Sequence, residues 1–147
     1  MDIDIDMPKV SIIITNYNYG KFLRRCLESC FNQNYKDDFE VILVDDGSID
    51  DSLKIASIFV QKGLRIIKQK NGGVELASNN GFKLANGKYI VRVDADDYLH
   101  PDYLKVVLSI FTPKISFVYP DYFIVNESDH LCGEMNLPEF DVIEILS

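Results

Sequence analysis

Phe39-Glu-Val-Ile-Leu-Val44, followed at once by Asp45-Asp-Gly-Ser48, decides how this chain folds. The first six residues are almost continuously apolar and rich in branched side chains, which predicts a strand buried on both faces, and the polar cluster predicts the loop that ends it. The same pattern recurs outward in both directions. Val10-Ser-Ile-Ile-Ile-Thr15 is ended by Asn16-Tyr-Asn-Tyr-Gly20, Tyr89-Ile-Val-Arg-Val93 by Asp94-Ala-Asp-Asp97, and Leu64-Arg-Ile-Ile-Lys68 is a shorter strand between them. Ile115-Ser-Phe-Val-Tyr119 reads as a fifth strand.

Helical spacing fills the intervals. Phe22, Leu23, Cys26, Leu27, Cys30 and Phe31 share one helix face. Asp50 or Ser48 can cap a helix carrying Leu53 to Val60, with Gly63 as its stop. Asn71-Gly-Gly73 precedes a helix through Leu76, Ala77, Phe82 and Ala85, stopped at Asn86-Gly87, and Pro101 opens one through Leu104, Val107, Leu108 and Phe111. Tyr122-Phe-Ile-Val125 and the residues from Leu131 onward are expected to pair as a hairpin across Asn126–His130. Strand–helix alternation with short connections predicts an α/β fold: a mainly parallel, twisted sheet with helices on both faces. With 147 residues the chain is expected to be a single domain, comprising a flexible N-terminus (1–8), a core (9–119) and a further region (120–147).

Composition narrows the functions. A formal charge of −8 disfavours non-specific binding to nucleic acid, whose phosphates would be repelled. Three cysteines make no disulfide framework, and Cys26 and Cys30, four apart on one helix face, read as core residues. The acidic N-terminus has no signal-peptide pattern, and no apolar run approaches the roughly 20 residues that span a bilayer. The expected setting is a reducing, cytoplasmic one.

Ligands of open α/β sheets bind outside the carboxyl ends of the strands. Three predicted strands end in polar clusters, so a parallel sheet would bring Thr15-Asn-Tyr-Asn18, Asp45-Asp-Gly-Ser48 and Asp94-Ala-Asp-Asp97 to one rim. Five crowded carboxylates would repel, and a divalent cation is the simplest neutralisation. If strand geometry persisted, Asp94 and Asp96 would point the same way. Hard oxygen ligands favour Mg²⁺ or Mn²⁺ over Zn²⁺, and such an ion completes its shell with water and substrate phosphate. No P-loop, G-x-G-x-x-G or G-x-S-x-G motif is present, and His100 and His130 fit no triad or metal spacing.

Val10-Ser-Ile-Ile-Ile-Thr-Asn-Tyr-Asn18, Asn32-Gln-Asn-Tyr35, Val44-Asp-Asp-Gly-Ser48, Asn71-Gly-Gly73 and Val93-Asp-Ala-Asp-Asp97 occur in that order and, together, resemble the nucleotide-binding half of glycosyltransferase family 2, with its Rossmann-like GT-A fold. The resemblance runs from about Lys9 to Val118. It implies that Thr15 and Tyr17 cradle and stack on the base, and that Asp46 recognises the base while Asp45 supports the turn. It implies further that Asp94 lies near the ribose and the metal's water shell, that Asp96 is the main ligand of Mn²⁺ or Mg²⁺, and that Asp97 is close to the donor sugar. The implied activity is metal-dependent transfer, with inversion, from a nucleotide-diphosphate sugar (UDP-sugar foremost) to a saccharide or lipid-linked acceptor in polysaccharide synthesis. It would proceed at the inner face of the membrane, with peripheral association of a longer enzyme.

Two departures accompany the resemblance. The family commonly has A-R-N-x-G after the Asn-Gly-Gly turn, its Arg helping to hold the diphosphate, whereas Ser78 stands there in Ala77-Ser-Asn-Asn-Gly81; Lys68, Lys70 and Arg92 are the candidates to compensate. The general base belongs to a further half, so no catalytic residue is assigned, and region 120–147 would begin the acceptor side. Two alternatives stand beside this reading. One is a non-catalytic nucleotide-binding or assembly module, for which homo-oligomerisation through an exposed apolar edge is expected. The other is a haloacid-dehalogenase-like phosphatase, disfavoured because its D-x-D belongs on the first strand.

Overall fold

The computed structural model describes residues 9–112, 114–115 and 117–137. They fall into two units, one ending at Lys105 and one beginning at Val106. The first is built on four strands, β1 (Val10–Asn16), β2 (Phe39–Asp45), β3 (Arg65–Lys68) and β4 (Tyr89–Asp94), in the order β3-β2-β1-β4 and parallel throughout. Helices α1 (Gly20–Phe31), α2 (Ser52–Ser57) and α3 (Val74–Leu84) supply the crossovers, and a single 3-10 turn (Val60–Lys62) follows α2. The α/β class, the parallel sheet and its strands are as the apolar pattern predicts.

All seven residues of β1 are buried, which follows from its place between β2 and β4 with cover on both faces. On one face Ile13 packs with Ile42, Val44 and Ala77 of α3, and on the other Ile12 and Ile14 are fully buried. Helix α3 lies so close that a Cβ at Gly81 would fall 2.4 Å from Ile13 Cγ2. Helix α1 buries Leu23, Cys26, Leu27 and Cys30, so both cysteines are core residues as expected. The second helix is shorter than its apolar pattern, passing into the 3-10 turn before Gly63 closes it at φ 96°.

The end of the sheet away from the site is locked by a carboxylate. Glu40 Oε1 accepts from the Ser11 hydroxyl at 2.6 Å and from Asn86 N–H at 2.7 Å, while Oε2 pairs with Arg65. Ser11 Oγ in turn accepts from Gly87 N–H at 2.8 Å. Gly87 is required by close approach, since a Cβ there would lie 2.4 Å from Ser11 N.

Gln33 ties α1 to the start of α4 (Tyr103–Ile110): its Nε2 donates to the carbonyls of Ser29 and His100, and its Oε1 accepts from Leu104 N–H. In the second unit, β5 (Tyr122–Val125) and β6 (Leu131–Met135) form the expected antiparallel hairpin. The expected strand over 115–119 is a correction. Residues 115 and 117–119 form no strand, and Phe117 is 76% exposed, because among the described residues no strand pairs with this apolar run. Among the described residues no helix is long and apolar enough to cross a membrane.

Burial pushes the Glu40 carboxyl up, but its Ser11, Asn86 and Arg65 partners outweigh this and hold it below 4.5. A depressed folded-state value stabilises the fold above the unfolded value and is lost as pH falls through the folded one. Glu40→Gln is therefore expected to lower stability to urea at pH 7, and the gap to wild type should narrow as pH falls below 4.5. A gap independent of pH would contradict this account.

Candidate functional site

Register decides what meets at the rim. Asn16 is paired with Asp45 across β1–β2, and Thr15 with Asp94 across β1–β4. Thr15, Asn16, Asp45, Asp46 and Asp94 thus share one edge of the sheet, as parallel strands require. Asp46 N–H donates to Asn16 O at 2.8 Å and Ala95 N–H to Thr15 O at 3.2 Å, carrying the contacts into both loops.

The two aspartates after β2 are internal anchors. Asp45 Oδ2 accepts from Asn16 Nδ2 at 2.9 Å, and its Oδ1 accepts from Ser48 N–H at 3.0 Å. Ser48 Oγ accepts from Asn16 Nδ2 and from Asn18 N–H, both at 3.0 Å, and Asn18 Oδ1 accepts from Ile49 N–H at 2.8 Å. Asp46, only 3% exposed, accepts three bonds: from Gln69 Nε2 at 2.7 Å and Gly72 N–H at 2.9 Å on Oδ1, and from Gly73 N–H at 2.8 Å on Oδ2. Gly73, at φ 89°, leads directly into α3, so this negative charge lies at a helix N-terminus, where it is favoured. Gln69 Oε1 accepts from Asn80 Nδ2 at 2.7 Å, linking the anchor to the middle of α3.

The acids after β4 are differently placed. Thr15 Oγ1 donates to Asp94 Oδ1 at 3.1 Å, and the same oxygen is paired with Arg92. The strand ends at Asp94, and Asp97 N–H closes a turn onto Asp94 O at 3.0 Å. Strand alternation therefore stops at Asp94 and does not orient Asp96. Asp96 and Asp97 are exposed residues. Partial burial raises the Asp97 carboxyl above its ordinary value, with the charges of Asp96 and Asp94 adding to the effect and Arg25 and Arg92 opposing it. Arg25 reaches this loop from α1, its guanidinium 4.3 Å from the centre of the Tyr98 ring. The exposed Tyr17 ring lies on the loop after β1.

The expectation of five mutually repelling carboxylates is corrected by these contacts. Asp45 and Asp46 are satisfied by N–H donors, so only Asp94, Asp96 and Asp97 form an acidic corner. Among the described residues no three His, Cys, Asp or Glu side chains converge as a metal cage. The sequence leaves Asn16 and Gln69 unassigned and offers Ser48 as a helix cap, whereas the Ser48 hydroxyl accepts from Asn16 Nδ2 and Asn18 N–H.

A family profile described as "Glycosyl transferase family 2" matches residues 11–140. This chain belongs to glycosyltransferase family 2. Its family 2 relatives include the chondroitin synthase of Escherichia coli, 42% identical over 112 residues (75% of this chain, 16% of that protein), and glycosyltransferase GlyA of Streptococcus pneumoniae, 34% identical over 134 residues (86% and 19%). Among solved structures, S. aureus TarS 1-349 in complex with UDP superimposes with a TM-score of 0.65 at 31% identity, covering 69% of this chain and 31% of that one. The mannosyltransferase PcManGT from Pyrobaculum calidifontis shares the fold, with a TM-score of 0.69 at 24% identity over 74% of this chain and 34% of that one. The fold is GT-A, and this chain spans well under half the length of each of these proteins.

Asp46→Asn keeps the shape but turns an acceptor toward a donor: one side-chain oxygen must become NH₂ and face Gln69, Gly72 or Gly73. The substitution is expected to destabilise the fold by about 1–3 kcal/mol and to speed amide exchange at Gly72 and Gly73. Unchanged exchange there would show that the carboxylate does not hold the turn.

Proposed function

We propose that this chain is the donor-binding part of an inverting, metal-dependent glycosyltransferase using a nucleotide-diphosphate sugar, most simply a UDP-sugar. One observation carries the reading: β2, β1 and β4 deliver Asp46, Thr15 and Asp94 to a single edge, with Asp96 just beyond. The related TarS, crystallised with UDP, supports the choice of nucleotide.

In this reading Tyr17 offers its exposed ring to the base. Asp46 has about four acceptor directions and uses three on its own chain, which leaves one for a base N–H. Asp45 keeps the turn in place through Asn16 and Ser48. Asp94 faces the ribose and, with Asp96, holds Mn²⁺ or Mg²⁺, while Asp97 lies toward the sugar. The Asp96 carboxylate makes no hydrogen bond among the described residues and is available to a cation. When bound, the ion supplies Lewis-acid stabilisation to the departing nucleoside diphosphate. The acceptor, a saccharide or lipid-linked hydroxyl, would lose its proton to a carboxylate base outside this chain and attack in line. The proposed setting is the cytoplasm at the inner face of the membrane.

A non-catalytic nucleotide-binding module is the second reading, favoured by the buried Ser78, which leaves α3 without an exposed cation on the face toward the sheet. Release of UDP from a UDP-sugar separates the two.

The donor reading predicts that UDP raises the melting temperature only with Mn²⁺ or Mg²⁺ present, by the equivalent of about 2.7 kcal/mol at 100 times Kd. Asp96→Ala should abolish the shift while leaving the unliganded melt in place. Equal UDP affinity with chelator and with metal would overturn the reading.

A further inference from the structure

The acidic corner at the end of β4 carries its own cation. Arg92 and Asp94 are two apart on β4, so they project from the same face. Their ion pair is half-exposed, at 40% and 43%, and such pairs contribute little to folding. Arg92 uses one guanidinium nitrogen, Nη2, on Asp94 Oδ1. Its remaining N–H groups make no hydrogen bond among the described residues, so the planar fork is only partly used.

Neighbouring cations are differently engaged. Arg25 is stacked on Tyr98 and donates from Nη2 to Asp96 O at 3.4 Å, so it belongs to the loop's own support. Lys68 ends β3 and Lys70 follows it, three strands from β4 and therefore about 14 Å away at ordinary strand spacing. Helix α3 presents Ala77, Ser78 and Gly81 to the sheet, none of them charged. Gly81 packs on Ile13, whose β4 partner is Arg92, so Arg92 flanks the stretch of β1 that α3 covers with small residues.

We propose that Arg92 binds the diphosphate of the donor, keeping Nη2 on Asp94 and offering the rest of its fork to phosphate oxygens beside the acidic corner. The inference rests on the nucleotide-sugar reading above and adds the residue that this chain uses for the pyrophosphate. Phosphate oxygens match a guanidinium in charge and planar geometry, and bidentate pairing is stronger than contact with a point charge. Asp94 prevents the side chain from swinging away when the ligand leaves.

Isothermal titration of the 147-residue chain with UDP and with uridine, each in Mg²⁺, tests this. Arg92→Ala is expected to weaken UDP by about tenfold or more, the loss of a charged hydrogen-bonded contact, while uridine affinity stays unchanged. Arg92→Lys should fall between wild type and Arg92→Ala, and because it keeps the charge and most of the stem it also serves if the alanine variant melts early. UDP affinity unchanged in both variants, or uridine falling in parallel with UDP, would overturn the proposal. Wild type binding Mg²⁺–UDP, with the binding lost in Asp96→Ala but intact in Arg92→Ala, sinks this inference alone. Wild type binding no UDP sinks the donor reading together with it.

Discussion

Everything at the rim depends on the parallel pairing of β1 with both of its neighbours. A strand buried on both faces cannot slip by one residue without reversing the side of every side chain, so its register is strongly specified. That register sets Asn16 against Asp45 and Thr15 against Asp94. Two acidic loops, whose first aspartates Asp45 and Asp94 are 49 positions apart in the chain, are thereby held on either side of one short polar segment. The core of Ile12, Ile13, Ile14, Val41, Ile42, Leu43 and Val44 is a means of positioning as much as of stability.

The aspartates then divide by what surrounds them. A buried carboxylate is tolerated when N–H groups replace its water, and Asp45 and Asp46 achieve this with amide donors from their own loops and from the turn into α3. Their charge is used internally to hold loop geometry. Asp96 and Asp97 keep much of their solvent exposure; partial burial, with the charges of Asp96 and Asp94 adding to it, raises the Asp97 carboxyl, and Arg25 and Arg92 oppose the shift. A cation entering this corner removes repulsion that the protein alone leaves in place. The satisfied pair therefore holds the loops in shape, and the acids after β4 are left for the proposed ligand.

This division marks how far the sequence could be read. Continuous apolar runs identify β1 and β2 because burial on both faces leaves no room for polar alternation, β4 alternates buried Val91 and Val93 with exposed Ile90 and Arg92, and the rim follows from parallelism. The Ile115–Tyr119 run misled because apolar content alone does not supply a neighbouring strand, and Phe117 remains exposed. Extending strand alternation to Asp96 fails because the Asp97-to-Asp94 hydrogen bond turns the chain one residue after the ladder ends. Gln69 and Asn16 were illegible as anchors because their partners are 23 and 29 residues away in sequence, and only the folded chain brings them together.

The position of Arg92 illustrates the same logic from the opposite charge. A guanidinium on a strand face is normally read as a solvated surface residue, and at 40% exposure Arg92 fits that description. What distinguishes it is the alternation that gives it Asp94 as a same-face neighbour, with Asp96 and Asp97 immediately beyond. In that setting a cation lowers the cost of crowding carboxylates, and a metal-bound pyrophosphate presents both charges at once. Under the proposal the metal would draw on the carboxylates while the phosphates would draw on the unused part of the guanidinium fork, so one ligand would engage both halves of the Arg92–Asp94 ion pair without breaking it. A bare anion would meet the repulsion of the aspartates, which a metal-bound one is spared. The proposed preference for a metal-bound diphosphate would thus arise from opposite charges placed two residues apart on a strand whose register is already set by the core.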